Sequence, residues 1–332
     1  MSYYGDKRAA LCDLFGSDDV EVARAELRVG RRRYPIVDDV IVLTAPERWP
    51  RGLTERLDRA PAAGAGETPF AADVQRSFGA EWQSYPSLLP EHAEEFARYF
   101  DLIDLAGLRD RRLCDLGCGN GRFSFHAAPL CRQLVLVDFS DAIFAARRNL
   151  QPHRHCLFFL ADLTELPFRD DCCDLLFCLG VLHHLPTPCL EAVRDLRRLA
   201  PELLIYLYYA LDNRLPHFRW LLRGVTAARR RLCRIEDERF RRAFAAAGAR
   251  LIYRPLVRLG QTLEPLGWQH QVPLYDGYRG QSVARIEQDV YDRFFTPIEQ
   301  RVTRIEIASL RDAFSEVVIA PGGPYWHFLC RR

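Results

Sequence analysis

The sequence predicts an α/β fold, a mostly parallel sheet with helices on both faces, carrying a small amino-terminal addition and a helical insertion. Three observations predict it. Short, strongly apolar runs recur at "RRLCDLG", "QLVLVDF", "HCLFFLAD", "CCDLLFCLG" and "ELLIYLYY". Stretches with helical spacing, "SDAIFAARRNL" and "PCLEAVRDLRRLA", lie between them. Strands apolar on both faces and joined by helices need cover on both sides, which is the condition of a parallel sheet. A glycine-rich turn, "LCDLGCGNGRFSF" at residues 113–125, follows the first run.

With 332 residues the chain is long for one compact unit, and its 48% apolar content is ample for a core. Lys and Arg number 46 against 44 Asp and Glu, a net charge of +2, so composition carries no strong nucleic-acid signal. The start, "MSYYGDKRAALCDLFG", has no basic leader before a sustained apolar segment, and no run reaches the roughly 20 residues of a membrane-spanning helix. No secretion signal and no span are expected. Eleven cysteines are scattered through apolar stretches, which fits small core residues in a reduced, cytoplasmic compartment. The Cys172, Cys173 pair and the group His153, His155, Cys156 lack a convincing ligand set, so no metal site is expected.

Taken in order, residues 1–75 form an appendage and linker. Within it, "RVGRRRYPIVDDVIVL" predicts a β-rich unit turning at Asp38 and Asp39. The Ala, Gly and Pro-rich "DRAPAAGAGETPFAAD" predicts a mobile connection or lid hinge. Residues 76–210 form the main core, entered by a helix over residues 90–107 with Phe96, Tyr99, Phe100, Ile103 and Leu105 on its apolar positions. Residues 211–298 interrupt the strand-helix alternation. There, residues 223–258 hold eleven arginines against three acids at helical spacing, which predicts a helical cap with a solvated face or a surface for an acidic partner. Residues 299–332 give a final helix and two strands around a Pro-Gly-Gly turn, an antiparallel hairpin.

The glycine turn is the centre of the functional reading. Gly117 permits a sharp departure from the strand ending near Asp115, Gly119 leaves room for a ligand against the backbone, and Gly121 permits close helix entry. The helix that follows can direct free amides at a carboxylate or phosphate. The third glycine of G-x-G-x-x-G is absent, as is a G-K-[ST] ending, which weakens the pyrophosphate readings. Asp138 closes the next strand, where two charged oxygens could take both hydroxyls of a ribose or cap the next helix.

Together, "DLGCGNG", the spaced Asp138, "ADLTELPF" and "CLGVLHHL" resemble a class I S-adenosylmethionine-dependent methyltransferase across residues 90–210 and again at the terminal strands. The resemblance implies a Rossmann-like seven-stranded sheet with a terminal antiparallel hairpin. It also implies that Asp115, Gly117, Cys118 and Gly119 surround the methionine part of S-adenosylmethionine. Asp138 would bind ribose, Asp162 and the Leu163 backbone would receive adenine, Phe139 would lie on an adenine face, and Leu179 would offer its carbonyl to the cofactor amine. The stretch "YPIVDDVIVL" resembles a Trm112-like domain without its zinc cysteines. "FGAEWQSYPSL" resembles an aromatic segment of bacterial enzymes of small-molecule or surface-saccharide metabolism, with Tyr85 closing over the cofactor and Trp82 burying the lid.

Methyl transfer needs orientation and enclosure, and a base only where the acceptor keeps a proton. His183 and His184, after the fourth strand, are candidate bases or structural histidines. Tyr209, Asp212, Asn213 and Arg214 beyond the fifth strand, with Tyr291 and Arg293 in "DVYDRFFTP", are candidate acceptor contacts. The expected activity is O- or N-methylation of a small molecule, a saccharide intermediate being one option. RNA or protein methylation, or a scaffold that binds the cofactor without turnover, remain alternatives.

Overall fold

The computed structural model describes residues 3–58, 71–321 and 326–332. Eleven strands line up in one sheet: β1 (Val20–Val22), β2 (Glu26–Val29), β3 (Arg32–Val37), β4 (Val40–Val42), β5 (Arg112–Leu116), β6 (Gln133–Asp138), β7 (Cys156–Leu160), β8 (Leu175–Leu179), β9 (Glu202–Leu207), β10 (Glu316–Ile319) and β11 (Trp326–Arg331). Their spatial order is β1-β2-β3-β4-β7-β6-β5-β8-β9-β11-β10. The stretch from β7 to β10 is the expected seven-stranded sheet, and four amino-terminal strands extend it.

β5, β7 and β8 are buried at every position and their pairs are parallel, the consequence of apolar runs that need cover on both faces. β11 runs antiparallel between β9 and β10, and closes the sheet with the expected hairpin. Residues 322–325 of its turn, and residues 59–70 of the expected hinge, lie outside the described residues. The chain builds outwards from β5 through β6 to β7, then returns to place β8 on the other side. This switch point leaves a crevice at the carboxyl edges of the strands.

The amino-terminal strands are joined to the sheet by β4, which pairs parallel with β7 at Ile41↔Phe159 and Val42↔Leu160. β3 and β4 form a two-residue hairpin in which Asp38 and Asp39 take φ of 47° and 62°, the backbone that a twisted tight hairpin requires.

Thirteen helices are described: α1 (Arg8–Phe15), α2 (Arg51–Arg56), α3 (Ala72–Ser84), α4 (Glu91–Tyr99), α5 (Arg122–Ala127), α6 (Ala142–Asn149), α7 (Cys189–Leu196), α8 (Pro216–Leu232), α9 (Glu238–Gly248), α10 (Arg254–Thr262), α11 (Tyr275–Tyr278), α12 (Val283–Phe295) and α13 (Arg304–Ala308). The helix expected over residues 90–107 is shorter, because α4 stops at Tyr99 and a 3-10 turn, Leu105–Leu108, follows. Asp104 caps that turn by accepting from the Ala106 amide at 3.1 Å, which satisfies a donor that a continuous helix would have used internally.

The insertion between β9 and α13 has a core of its own. Ala245, Ala249, Tyr253, Ile286, Val290 and Phe295 bury one another, and α12 packs against α8, α9 and α3. Several polar links dock this unit on the sheet domain. The Ser77 hydroxyl donates to the Phe295 carbonyl at 2.9 Å, and Arg285 of α12 meets Glu95 of α4 at 2.7 Å with both side chains buried. Among the described residues, no helix is long and apolar enough to cross a membrane.

Candidate active site

A cavity of about 320 Å³ opens over the carboxyl edges of β5, β6, β7 and β8. The sheet side contributes Gly117, Cys118, Asp138, Phe139, Asp162 and Leu179. Leu163 and His184 line it as well. α3 and α4 supply one wall, with Phe78, Glu81, Trp82, Arg98 and Tyr99, and α12 supplies the roof, with Arg285, Gln288, Asp289, Asp292 and Arg293. Parallel-sheet switch points gather ligands at this edge because the strands end together and the following loops diverge.

The glycine turn is shaped by backbone as expected, with a different occupant. Gly117 and Gly119 have φ of 77° and 56°; a Cβ on Gly117 would sit 2.4 Å from Val181. A Cβ on Gly119 would sit 2.7 Å from the Trp82 indole, so the space expected for a ligand over Gly119 is held by the α3 tryptophan. The sequence marked that position as needing a small residue and could not say what approaches it.

Asp138 is a buried hub. Oδ2 accepts from the Gly119 amide at 2.9 Å, and Oδ1 accepts from the Ser140 amide at 2.9 Å and from its hydroxyl at 2.6 Å. Burial raises its pKa, and these hydrogen bonds oppose the rise. The carboxylate therefore fixes the glycine turn and still lines the cavity, with acceptor capacity left on its oxygens. Asp115 lies beneath, accepting from the Ser124 hydroxyl at 2.6 Å; burial pushes it up to about 7 against that hydrogen bond. Neither Asp115 nor Gly119 is among the cavity-lining residues. Asp162 caps the turn after β7 through the Thr164 amide and hydroxyl, at 2.9 and 2.7 Å, and has Arg48 within 3.7 Å.

The two histidines have separate environments. His183 is fully buried, stacked 3.9 Å from the Tyr208 ring and 4.1 Å from His184, and neither ring nitrogen has a partner. Burial, then the proximity of His184, Arg301 and Arg229, drives its pKa well below the usual value. It packs behind the cavity. His184 lines the cavity; its Nδ1 lies 2.6 Å from the Ile298 carbonyl oxygen, while Nε2 is buried without a partner. A carbonyl only accepts, so Nδ1 carries the hydrogen and Nε2 presents a lone pair.

Several sequence-named contacts lie elsewhere. Tyr85 caps α3 and packs edge-on against Tyr291 at 6.1 Å, where burial pushes its pKa up to about 12. Tyr291 is fully buried, and its hydroxyl donates to Glu238 at 2.7 Å. Tyr291 lies in the insertion's interior and Tyr85 packs against it, and neither is among the cavity-lining residues. Tyr209 pairs with Val302 in an isolated bridge. Asp212 accepts from the Arg304 amide at 2.9 Å, Asn213 is exposed, and Arg214 pairs with Asp276 at 2.6 Å. The loop after β9 therefore ties the insertion's ends together. Of the acceptor candidates, only Arg293 faces the cavity.

The site also holds groups that the sequence reading passed over. Tyr208 donates to Asp292 at 2.6 Å, and Gln288 donates to Glu81 at 3.1 Å. Burial, followed by the nearby Asp292, raises the Glu81 pKa well above the carboxylate range. Polar residues on the apolar side of α3 and α12 were the available signal: Glu81 beside Trp82, and Gln288 two residues after Ile286.

Residues 114–202 match the family model described as "Methyltransferase domain". A malonyl-[acyl-carrier protein] O-methyltransferase of Legionella pneumophila is 30% identical over 114 residues, 33% of this chain and 40% of that protein. A tRNA U34 carboxymethyltransferase of Sulfurimonas denitrificans is 31% identical over 84 residues, 24% of this chain and 28% of that protein. Among solved structures, phosphoethanolamine N-methyltransferase 1 of Haemonchus contortus is 17% identical with a TM-score of 0.37, covering 43% of this chain and 34% of that one. The chain thus spans less than half the length of these curated relatives. The family match begins at residue 114 and lends no support to the Trm112-like reading of the amino-terminal strands. The strand order, the glycine turn and the matched residues agree on the Rossmann-like α/β fold of class I methyltransferases, with residues 114–202 matching the methyltransferase-domain model.

Proposed function

We propose that this chain transfers the methyl group of S-adenosylmethionine to an oxygen or nitrogen of a small molecule enclosed between the sheet edge and the helical insertion. The observation that carries the reading is His184, which lines the same cavity as Asp138 and Gly117 and whose buried Nε2 has no partner among the described residues. When bound, the cofactor supplies a methyl group activated by its sulfonium charge. The residues present fit it: buried Asp138 offers charged acceptors for ribose hydroxyls, Phe139 and Leu163 offer apolar surface, and Asp162 offers acceptors for an adenine amine.

His184 would take the acceptor's proton on Nε2 while Ile298 holds the ring through Nδ1. The roof from α12 would exclude water and align the acceptor. An enclosed cavity of this size suits a small acceptor, a saccharide intermediate among the options. The test is incubation of a metabolite extract with isotopically labelled S-adenosylmethionine, followed by mass detection of the labelled product. No labelled product, from protein that binds the cofactor, would favour the scaffold reading.

An RNA acceptor is supported by a different observation. α8 exposes Arg219, Arg223, Arg230 and Arg231, a basic face that could track phosphates. Salt-sensitive binding of transfer RNA would favour it, and no binding at low salt would remove it.

A further inference from the structure

We propose that the acceptor carries an anionic group, a carboxylate or a phosphate, anchored at the cavity roof by Arg293, which the Tyr278 hydroxyl orients. This rests on the methyl-transfer reading above and adds a substrate class to it. Arg293 lines the cavity from α12 and is half-buried. Among the described residues its one hydrogen bond goes to the Tyr278 hydroxyl at 3.3 Å, and its Nε is buried with no partner.

The neighbouring carboxylates are committed elsewhere. Arg285 holds Asp289 and Glu95. Asp292 accepts from the Tyr208 hydroxyl at 2.6 Å and the Thr296 hydroxyl at 2.8 Å. Glu299 lies between Arg229 and Arg301, each at 2.8 Å. Three arginines, 229, 293 and 301, therefore gather near Glu299, and of these Arg293 is the one that lines the cavity, with no ion pair among the described residues.

A guanidinium cannot shed its charge, so one whose Nε is buried without a partner favours an anion beside it. Its planar fork matches two oxygens of a carboxylate or phosphate, and the Tyr278 hydroxyl, which accepts from Arg293, helps to orient that fork. The anchor is also on the acceptor side. Asp292, next in sequence to Arg293, is bonded to Tyr208, whose ring lies 5.7 Å from that of His184. An acceptor held by its anion at Arg293 can reach across Tyr208 towards Nε2 of His184.

The experiment is a thermal-shift titration of the S-adenosylhomocysteine-loaded protein at constant ionic strength. The probes are malonate and benzoate, glycerol phosphate and phenyl phosphate, with malonamide, benzamide and glycerol as uncharged controls. At least one anion is expected to raise Tm by several degrees where its control does not, and the class that does so separates carboxylate from phosphate. Arg293→Gln should abolish the shift, and Arg293→Lys should move its midpoint to at least tenfold higher anion concentration. Absence of any anion-specific shift in the wild type, or an unchanged midpoint in Arg293→Lys or Arg293→Gln, overturns the anchor. Calorimetry with S-adenosylhomocysteine separates the two readings: no cofactor binding sinks methyl transfer, whereas cofactor binding without an anion response sinks the anchor alone.

Discussion

Nδ1 of His184 lies 2.6 Å from the Ile298 carbonyl oxygen, and that contact sets which of its nitrogens carries the hydrogen. Ile298 follows the insertion helix α12, so the segment that roofs the site also fixes the tautomer of the candidate base. His184→Ala is expected to lower kcat by about 10²-fold or more, the usual contribution of a positioned base. S-adenosylhomocysteine affinity should stay within a few-fold. Turnover that survives intact would remove His184 from the chemistry.

His92 and His183 predict an acid-sensitive fold. Burial lowers the His92 pKa to about 3 and that of His183 well below its usual value. In the unfolded chain both return to about 6.5. The folded state therefore binds fewer protons, and the stability these groups contribute is full above about 6.5 and is lost as pH falls towards 3. Tm measured from pH 7.5 to 4 should fall, and His92→Gln should flatten part of that slope. His92 accepts from the Leu89 amide at 3.1 Å through Nδ1, which a glutamine oxygen can replace.

Asp138→Ala removes the acceptor of the Gly119 and Ser140 amides together with the ribose contact. Charge-assisted hydrogen bonds contribute about 1.5–3 kcal/mol each, so cofactor affinity should drop at least tenfold. Calorimetry giving wild-type affinity would refute the ribose assignment.

Trp82 covers Gly119 at the place where a cofactor would approach the backbone. Binding of S-adenosylhomocysteine should therefore move the indole and change tryptophan fluorescence. Trp82→Phe should remove most of that change while the protein still binds the ligand. A response carried unchanged by the remaining tryptophans would show that Trp82 stays in place.

Arg285 and Glu95 form a buried ion pair, 2.7 Å apart, between the roof and the sheet domain. Arg285→Met leaves Glu95 without its main partner in an apolar setting. Loss of one member of such a pair costs about 3–5 kcal/mol. Urea denaturation should show a midpoint shift of that order; an effect under about 1 kcal/mol would mean that the insertion is not held by this contact.

Much of the sheet was legible because its signals are local. β5, β6, β7, β8 and β9 each coincide with an apolar run, and the helix α7 buries Cys189, Ala192, Val193 and Leu196 at the spacing of one helical face. Asp138 and Asp162 were legible because strand ends at a switch point carry their side chains to one edge. The aromatic pair Tyr85 and Tyr291 misled, since an aromatic ring serves a pocket and a core equally well in sequence. His183 and His184, adjacent in the chain, differ only in what surrounds them.

By itself the sequence determined the alternation of strands and helices, the glycine turn after β5 and the acidic residues closing β6 and β7, since each depends on periodicity or backbone conformation within a few residues. Tertiary structure decided that Trp82 fills the space over Gly119, that His184 rather than His183 lines the cavity, and that Arg293 has no ion pair among the described residues. Those outcomes depend on how α3 and α12 dock over the sheet edge. Docking is set by contacts between residues more than two hundred positions apart, such as Gln288 with Glu81, and no short window of sequence contains both partners.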